Sequence, residues 1–247
     1  MPSELLRGKS ALVTGGARRI GRGIALSLAR AGADVAISYR NSQDAAKQAV
    51  MEIESLGCRA LAVECDVRSE ASVREAINAI TGHFGRLDVL VNNAALFHFA
   101  RLESLSVEEW DAVFETNARG PFLVAREALP HLRTARGRIV NIGSLGGIHG
   151  WPGHAHYSAS KAALHMLTQS MARAFAPGVS VNCVAPGWIE PEDSAGRDEK
   201  EAERFAAKTP MRRNGTVDDV AQAVLFFATG PSFVTGQILV VDGGLGL

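Results

Sequence analysis

The sequence predicts one α/β domain built on a doubly wound, parallel, seven-stranded sheet with helices on both faces. Three observations predict it. Seven short runs rich in β-branched residues alternate with longer stretches whose apolar residues recur at helical spacing. Strands separated by helices need crossover connections, which make the sheet parallel and place helices against both of its faces. The chain also shows no low-complexity segment, internal repeat or linker-like change of composition, so we treat residues 1–247 as a single domain.

The first half of the chain contains four of the strands. The run SALVT precedes a helical pattern in which Ile20, Ile24 and Leu28 share one face. DVAISY precedes a second helix, which ends at Gly57. RALAVECDV and LDVLVNNA are the third and fourth strands, and the fourth leads into a long helical stretch over 106–132.

The second half continues the alternation. GRIVNIGS, VSVNCVAPG and QILVVDGG are the last three strands, with helices near 154–176 and 216–229 between them. The stretch 187–212 reads as irregular and is rich in charged and turn residues, and loops of that length inside a compact domain are usually functional. We expect it to be a substrate-loop insertion, with 190–210 acting as a flap over the substrate.

The composition excludes several classes of function. Lysine plus arginine and aspartate plus glutamate number 26 each, so the chain has no excess positive charge for nucleic acid or an acidic membrane. It has no apolar signal core and no run of about 18 apolar residues that would span a bilayer. Cys58, Cys65 and Cys183 are odd in number and widely spaced, which suits free thiols in a reducing compartment. These features predict a cytoplasmic protein.

A glycine-rich turn joins the first strand to the first helix, in the segment VTGGARRIGRGIA. Gly15 permits the tight turn, and Gly21 permits close approach at the start of the helix, where free backbone amides can bind a pyrophosphate. Strand, glycine turn and helix in this order are the context that a dinucleotide site requires. The alternative is a turn that needs glycine only for a positive φ.

The residues after the second strand favour NADPH over NADH. An acidic side chain there accepts hydrogen bonds from the ribose of NAD, whereas an arginine suits the 2′-phosphate of NADP. The chain reads ISYRNSQD and offers Arg40, whose guanidinium can bind phosphate through charge-assisted hydrogen bonds. Arg18 and Arg19 add positive charge near the same phosphates. The predicted cofactor site also includes Ile20, Tyr39, Asn41 and Ser42.

Tyr157 and Lys161 are the strongest chemical signal, because residues four apart share one face of a helix. A free tyrosine has a pKa of about 10, too high for easy proton exchange at neutral pH. A neighbouring ammonium favours the phenolate, so we expect Lys161 to lower the pKa of Tyr157 and make it a general acid or base. Ser144 stands at the C-terminal end of a predicted parallel strand, where such sheets bind their ligands.

These motifs together resemble the short-chain dehydrogenase/reductase family. Matching elements run in the family's order from about residue 10 onward: Thr14-Gly15 with Gly21, NNAA at 92–95, Asn117 in TNARG, Ser144, Tyr157 with Lys161, and Pro186-Gly187. The resemblance implies a Rossmann-like fold and an oxidoreductase that uses NADPH to transfer hydride to a small molecule. It also implies a homotetramer, with interfaces on the helices near 106–132 and 154–176 and on the C-terminal strand.

The resemblance further implies a role for each matched residue. Tyr157 would protonate the substrate as hydride arrives, while Lys161 would lower the pKa of Tyr157 and bind the nicotinamide ribose. Ser144 would hydrogen-bond the reacting group, and Asn117 would hold a water that links Lys161 to solvent. The other matched residues would bind the cofactor. Asp66 and Val67 would contact its adenine, Asn93 and Ala94 would line its adenosine ribose, and Ile189 would contact its carboxamide. Pro186 and Gly187 would also belong to the cofactor site.

Arg19 stands where most of the family has its second loop glycine, and this TGxxxRxG variant resembles the pteridine reductases. Phe97 follows the NNA segment, where those enzymes stack an aromatic ring on the pterin, although an apolar pocket wall is an equal alternative. Trp151 and Trp188 are further candidate substrate walls. Ser144 departs from the pteridine reductases, which have Asp there, and serine is the arrangement of 3-oxoacyl-[acyl-carrier-protein] reductases. The predicted substrate is a small carbonyl or pterin-like compound, with a 3-oxoacyl thioester as the alternative.

A metal-binding protein and a non-catalytic regulator are the alternatives from other classes of function. His154 and His156 form an HxH motif, but no Cys or carboxylate set accompanies it, so no metal site is predicted. A non-catalytic NADP-binding regulator would use the same fold. Such regulators usually lose part of the tyrosine–lysine set, which is complete in this chain.

Overall fold

The computed structural model describes residues 4–190 and 198–247. Within these ranges seven strands occur: β1 (Ser10–Val13), β2 (Asp34–Tyr39), β3 (Ala60–Glu64), β4 (Val89–Asn92), β5 (Arg138–Ile142), β6 (Ser180–Pro186) and β7 (Ile238–Val241). They form one parallel sheet in the order β3-β2-β1-β4-β5-β6-β7. The order reverses direction between β1 and β4, and a crevice for ligands opens at the carboxyl ends of strands at such a point. The predicted doubly wound sheet is confirmed.

In the part of the chain that the structure describes, eight α-helices surround the sheet: α1 (Arg19–Arg30), α2 (Gln43–Ser55), α3 (Glu70–Phe84), α4 (Val107–Phe114), α5 (Gly120–Ala135), α6 (Ala155–Phe175), α7 (Glu199–Lys208) and α8 (Val217–Thr229). Residues of α1, α2 and α8 pack on one face of the sheet, and residues of α3, α5 and α6 pack on the other. None of the described helices combines the length and apolarity needed to cross a membrane.

The core lies in two layers because successive side chains of a strand point to opposite faces of the sheet. Val13 packs in one layer with Leu28 of α1. Its neighbour Leu12 packs in the other layer with Ile77 of α3 and Leu132 of α5. Burial on both faces makes the strands continuously apolar, which is why they are recognisable in the sequence.

The helix predicted over 106–132 is interrupted. α4 begins at a capping box between Ser106 and Glu109, and a π-helical turn, Glu115–Arg119, separates it from α5. Gly120 and Pro121 begin α5, and proline is favoured in the first turn of a helix because its missing N–H needs no partner there. The interruption matters for the site, because π-helical turns are frequent at functional positions and this one contains Asn117.

The stretch 187–212, predicted to be irregular, contains α7. The Asp198 side chain accepts hydrogen bonds from the backbone N–H groups of Lys200 (3.0 Å) and Glu201 (3.3 Å), which cap the first turn. The charged residues that suggested a loop form the exposed face of this helix, while Ala202 is buried. Residues 191–197, in the predicted flap, lie outside the described residues, so the insertion and the flap stay predictions.

Candidate active site

A cavity of about 660 Å³ opens at the carboxyl ends of the strands. Every predicted site residue except Asn117 lines it: Gly15, Arg18, Arg19, Ile20, Gly21, Tyr39, Arg40, Asn41, Ser42, Asp66, Val67, Asn93, Ala94, Phe97, Ser144, Tyr157, Lys161, Pro186, Gly187, Trp188 and Ile189. We call the part lined by the loops after β1 and β2 the cofactor end. The part lined by Phe97, Ser144, Trp151, Tyr157 and Trp188 is the catalytic end.

Several lining residues were not predicted from the motifs: Ser38, Cys65, Ala95, Leu96, Thr116, Ile142 and Gly143. Each lies within two residues of a predicted site residue in the sequence. Only their position in the sequence could have indicated these residues, since they lie on the same strand ends and adjoining segments as the motif residues. Trp151, considered as a substrate wall, also lines the cavity.

The phosphate loop after β1 packs closely against the segment after β4. Gly15 has a φ of +64°, and a Cβ atom there would lie 3.1 Å from the Cα atom of Ala94. A Cβ atom on Gly21 would collide with the carbonyl oxygen of Gly15. Positive φ therefore explains Gly15, whereas Gly21 is required by close approach at the helix start.

Hydrogen bonds hold this junction together. The Thr14 hydroxyl accepts hydrogen bonds from the backbone N–H groups of Asn93 (2.9 Å) and Ala94 (3.0 Å). The Asn93 side-chain amide donates to the carbonyl oxygens of Thr14 (2.9 Å) and Gly15 (3.1 Å). Asn93, predicted to line the adenosine ribose, therefore also holds the phosphate loop in position.

The N-terminus of α1 is open to an anion. Its N-cap residue, Arg18, makes no side-chain capping bond, and the first turn contains no acidic residue. The first backbone amides of the helix are consequently available to a ligand, and the helix dipole favours negative charge there. Arg18, Arg19 and Arg40 are exposed and line the cavity beside it. This donor set fits the pyrophosphate and 2′-phosphate of NADPH.

Arg19 has a backbone conformation that favours glycine. Its φ is +50°, in the left-handed region that costs a non-glycine residue about 1 kcal/mol. Within residues 4–190 and 198–247, its guanidinium forms no hydrogen bond or ion pair. A residue that has a strained backbone and lines a cavity with a charged group that has no partner among the described residues is typical of a ligand-binding position.

Asp66 is fixed at the cofactor end by Arg68. The guanidinium donates to both carboxylate oxygens of Asp66, at 2.9 Å and 2.6 Å. The side-chain hydrogen bonds from Arg68 outweigh the effect of burial and lower the pKa of Asp66 to about 2. The carboxylate is therefore ionised and held in one orientation where the adenine is predicted to bind.

Ser144 and Tyr157 meet at the catalytic end. Ser144 follows β5, and its Oγ atom accepts a hydrogen bond from the backbone N–H of Gly146 (3.0 Å) in a 3₁₀ turn. Tyr157 lies in the first turn of α6. Burial raises the pKa of Tyr157, and the hydrogen bond with the Ser144 hydroxyl opposes that shift. The phenol therefore retains its proton in the folded protein.

Lys161 lies beneath the Tyr157 ring and is only 2% exposed. Its Nζ atom donates to the carbonyl oxygen of Ile142 (2.7 Å) and stands 5.7 Å from the centroid of the Tyr157 ring. Burial lowers the pKa of Lys161 to about 8. That Lys161 lowers the pKa of Tyr157 stays a prediction. The ammonium faces the ring and a backbone carbonyl, and the largest influence on the phenol is its own burial.

Asn117 lies behind the cavity wall, fully buried in the π-helical turn. Its Oδ1 atom accepts a hydrogen bond from the N–H of Leu96 (2.7 Å), and its Nδ2 atom donates to the carbonyl oxygen of Leu96 (2.9 Å). The Nδ2 atom also donates to Ser160 Oγ (3.0 Å), so both of its hydrogens are used. The predicted water relay through Asn117 stays a prediction, and the visible role of this side chain is to tie Leu96 to α6.

His165 supports Ser144 from behind and was not predicted. Its Nε2 atom accepts a hydrogen bond from the backbone N–H of Ser144 (3.4 Å), and its ring packs where Cβ atoms on Gly143 or Gly147 would collide with it. Burial and the charge of Lys161 lower the pKa of His165 to about 4, so the ring is neutral and able to accept. One feature of the sequence could have indicated His165: it follows Lys161 by four residues, and residues at that spacing share one face of a helix.

The HxH motif is used for packing in the described structure. The His154 ring stacks on Phe97, with centroids 4.6 Å apart, and the His156 ring lies 4.5 Å from that of His98. Among the described residues, no group of three or more His, Cys, Asp or Glu side chains is placed to hold a metal ion.

Comparison with known proteins agrees with this geometry. Residues 15–246 match a family model described as Enoyl-(Acyl carrier protein) reductase. The chain is 40% identical over 240 residues to the 3-oxoacyl-[acyl-carrier-protein] reductase FabG of Staphylococcus aureus strain Mu50. The alignment covers 96% of this chain and 98% of that protein.

Solved structures show the same similarity over the whole chain. A dehydrogenase/reductase from Sinorhizobium meliloti 1021 has a TM-score of 0.92 and 40% identity, with 100% of this chain and 98% of that chain covered. A short chain dehydrogenase from Burkholderia cenocepacia J2315 in complex with NADP has a TM-score of 0.90 and 38% identity, with 98% and 99% covered. Motifs, fold and comparisons agree, and the chain belongs to the short-chain dehydrogenase/reductase family.

Proposed function

We propose that this protein is an NADPH-dependent reductase of a carbonyl compound, with Tyr157 as the proton donor. One observation carries the proposal. Ser144, Tyr157 and Lys161 converge at the catalytic end of a cavity whose other end presents three arginines and an open helix N-terminus. A single cavity can therefore hold a phosphorylated dinucleotide and a substrate side by side.

The cofactor is NADPH. Arg18, Arg19 and Arg40 provide guanidinium groups for its phosphates, and α1 provides backbone amides. When bound, NADPH supplies the hydride that reduces the substrate carbon. The close packing at Gly15 and Gly21 keeps the main chain near enough to contact the pyrophosphate.

The protein's own groups manage the proton. Ser144 and Tyr157 hydroxyls face the same space and can both hydrogen-bond a carbonyl oxygen placed there. The raised pKa of Tyr157 keeps the phenol protonated until the oxygen gains negative charge, when the proton transfers to it. The buried ammonium of Lys161, over the face of the same ring, then stabilises the phenolate that remains.

Two substrate classes follow from the sequence, and the observations favour the carbonyl. The similarity to the S. aureus enzyme supports a 3-oxoacyl thioester, and the Ser144 hydroxyl suits a carbonyl oxygen. Arg19 and Phe97 favour a pterin-like substrate. A serine cannot protonate a ring nitrogen as a carboxylic acid does, so we place the pterin second.

We also propose a homotetramer. Phe122 on α5 and Met166 on α6 are large apolar side chains exposed on helices that are predicted to form interfaces. β7 lies at the edge of the sheet with Leu239 and Val240 partly exposed, as expected of a strand that a second copy covers. Sedimentation equilibrium of the purified protein tests this, and a monomer would contradict it.

The cysteines support our proposal of a cytoplasmic location. Cys58, Cys65 and Cys183 are free, as expected in a reducing compartment. Burial raises the pKa of Cys65 to about 11 and that of Cys183 to about 12, so these two side chains are inert thiols at neutral pH.

The test of the function follows NADPH oxidation with an acetoacetyl thioester and with dihydrobiopterin, each repeated with NADH. We expect turnover of the carbonyl substrate and a preference for NADPH. Tyr157→Phe should lower kcat by about 1,000-fold because the proton donor is lost. NADPH affinity, measured by cofactor fluorescence, should change by less than about twofold because the phosphate contacts lie at the other end of the cavity. Unchanged turnover in Tyr157→Phe would refute the role assigned to Tyr157, whereas NADPH binding without turnover of any substrate by the unsubstituted protein would favour the regulator.

A further inference from the structure

Three aromatic side chains, which we call the aromatic walls, line the catalytic end: Phe97, Trp151 and Trp188. Phe97 is 55% exposed, yet it is held on two sides. Its ring stacks on His154 at an interplanar angle of 7° and meets the Tyr157 ring edge-on at 4.8 Å. The preceding residue, Leu96, has both backbone polar groups bonded to Asn117. Phe97 is thus an ordered ring with an open surface beside the proton donor.

The two tryptophans are held in the same way. Trp188 stacks on Phe205 of α7, with centroids 5.4 Å apart and an interplanar angle of 16°. Trp151 contacts the same Phe205 ring at 6.2 Å and meets His154 edge-on at 6.5 Å. His154 and Phe205 do not themselves line the cavity. They act as backing rings that fix the aromatic walls from behind.

Among the described residues that line the catalytic end, none bears an exposed charge. Of the described residues that line the cavity, the exposed cations are Arg18, Arg19 and Arg40, and all three belong to the cofactor end. Lys161 is buried beneath Tyr157. A substrate carried on a phosphate-bearing arm would meet no lining cation at the catalytic end, whereas a neutral ring system would lose no charge hydration there.

We propose that the substrate is a neutral ketone whose carbonyl is attached to a planar aromatic ring system, an inference that rests on the proposed reductase function. Ordered aromatic walls offer flat surfaces for stacking at little cost in side-chain entropy, whereas a flexible acyl chain loses its own freedom on binding. The reaction adds the hydride of NADPH to the carbonyl carbon and the Tyr157 proton to the oxygen. The products are the secondary alcohol and NADP⁺, and solvent returns a proton to Tyr157.

The test compares 2-acetylnaphthalene with its saturated decalin analogue, which has the same carbon skeleton without flat rings. Dissociation constants come from titration calorimetry with the NADP⁺-loaded protein, which binds the ketone without turning it over. We expect the naphthyl ketone to bind about tenfold more tightly, because stacking adds to area burial. Its kcat/KM with NADPH should also exceed that of an acetoacetyl thioester.

Substitutions locate the effect. Phe97→Leu and Trp188→Leu retain an apolar wall without the ring, and each should lower the preference for the naphthyl ketone by about threefold or more. Binding of the decalin ketone should change by less than twofold. Phe226→Leu is the matched control, because Phe226 is an exposed aromatic on α8 that does not line the cavity. It should leave both constants unchanged.

The outcomes separate this inference from the function on which it rests. Equal binding of the two ketones, or preferred turnover of the thioester, overturns the aromatic substrate while Tyr157-dependent carbonyl reduction stands. Failure of every carbonyl to oxidise NADPH overturns the reductase. The calorimetric preference needs no turnover and no variant, so it decides the role of the aromatic walls in either case.

Discussion

At the cofactor end of the cavity Arg18, Arg19 and Arg40 are exposed, whereas at the catalytic end Lys161 is buried and donates a hydrogen bond to a backbone carbonyl. Exposed charges act through water, so their effect on binding is graded and is screened by salt. Buried groups act through desolvation and fixed hydrogen bonds, so small changes there shift protonation and geometry. Changes at the cofactor end should therefore alter KM, and changes at the catalytic end should alter kcat.

The largest expected effect beyond Tyr157 is at Lys161. Lys161→Met should lower kcat by about 100-fold or more, because it removes the charge that stabilises the phenolate while preserving the buried stem. In the unsubstituted protein, kcat should fall on the alkaline side with an apparent pKa near the lowered value of about 8. The pH dependence of kcat in both proteins checks this. If the alkaline fall in kcat persists in Lys161→Met, a group other than Lys161 causes it.

The same titration affects stability in a defined direction. The pKa of Lys161 is about 8 in the folded protein, against 10.5 ordinarily. Between these values the unfolded chain binds more protons than the folded chain. The contribution of Lys161 to the free energy of unfolding therefore increases as pH rises. Lys161→Met should remove that gain, as measured by urea unfolding at pH 8 and pH 10.

Arg40→Asp tests the cofactor end. Losing a charge-assisted bond to the 2′-phosphate and placing a carboxylate there should raise the KM for NADPH by about 30-fold. The KM for NADH should fall, and kcat at saturating cofactor should remain within about twofold. Steady-state kinetics with both cofactors at two salt concentrations check this. An equal loss with NADPH and NADH would contradict a 2′-phosphate contact.

His165 sharpens the contrast at the catalytic end, because it acts through the backbone of Ser144. His165→Leu should lower kcat by about tenfold with little change in the KM for NADPH, while His165→Gln, which offers an accepting oxygen, should recover much of it. If both variants lose activity without a change in kcat relative to KM, His165 has a purely structural role.

The pKa of His165 adds a stability test. It falls from 6.5 to about 4 on folding, so the unfolded chain binds more protons between these values. Stability from this group is therefore lost as pH falls from about 6.5 towards 4. His165→Gln should flatten the dependence of the unfolding free energy on pH in that window, which urea unfolding at pH 5 and pH 7 measures.

The smallest effect, and the most informative at the cofactor end, is expected for Arg19→Gly. Removing a side chain at a φ of +50° relieves strain and should offset the entropy cost of glycine, so the free energy of unfolding should change by less than about 1 kcal/mol. The KM for NADPH should rise about fivefold because one phosphate partner is lost. Thermal unfolding and kinetics measure the two effects separately. A large loss of stability would show that Arg19 serves the fold instead.

The sequence predicted most of the architecture because the relevant signals are local. Alternating apolar runs indicated the strands, and the spacing of Tyr157 and Lys161 placed both on one helix face. The stretch that forms α7 was predicted to be irregular because nine of its ten residues are charged or alanine and only one side chain, that of Ala202, is buried, too few for a visible apolar stripe.

The site was harder to predict wherever it depends on contacts between distant segments. Burial, which the sequence does not display, is the largest influence on the pKa of Tyr157 and raises it. The hydrogen bonds of Asn117 to Leu96 and the backing of Trp188 by Phe205 likewise join residues with no shared motif. Such pairs become visible only when the chain is folded.

The left-handed backbone of Arg19 has a consequence for how such enzymes diversify. Arginine and glycine codons differ by a single base, and position 19 has a φ of +50°, which lies in the region that favours glycine. A single point mutation can therefore convert this position to glycine at a φ that glycine adopts freely. A glycine-only motif search would pass over this loop, although the φ of Arg19 is one that favours glycine.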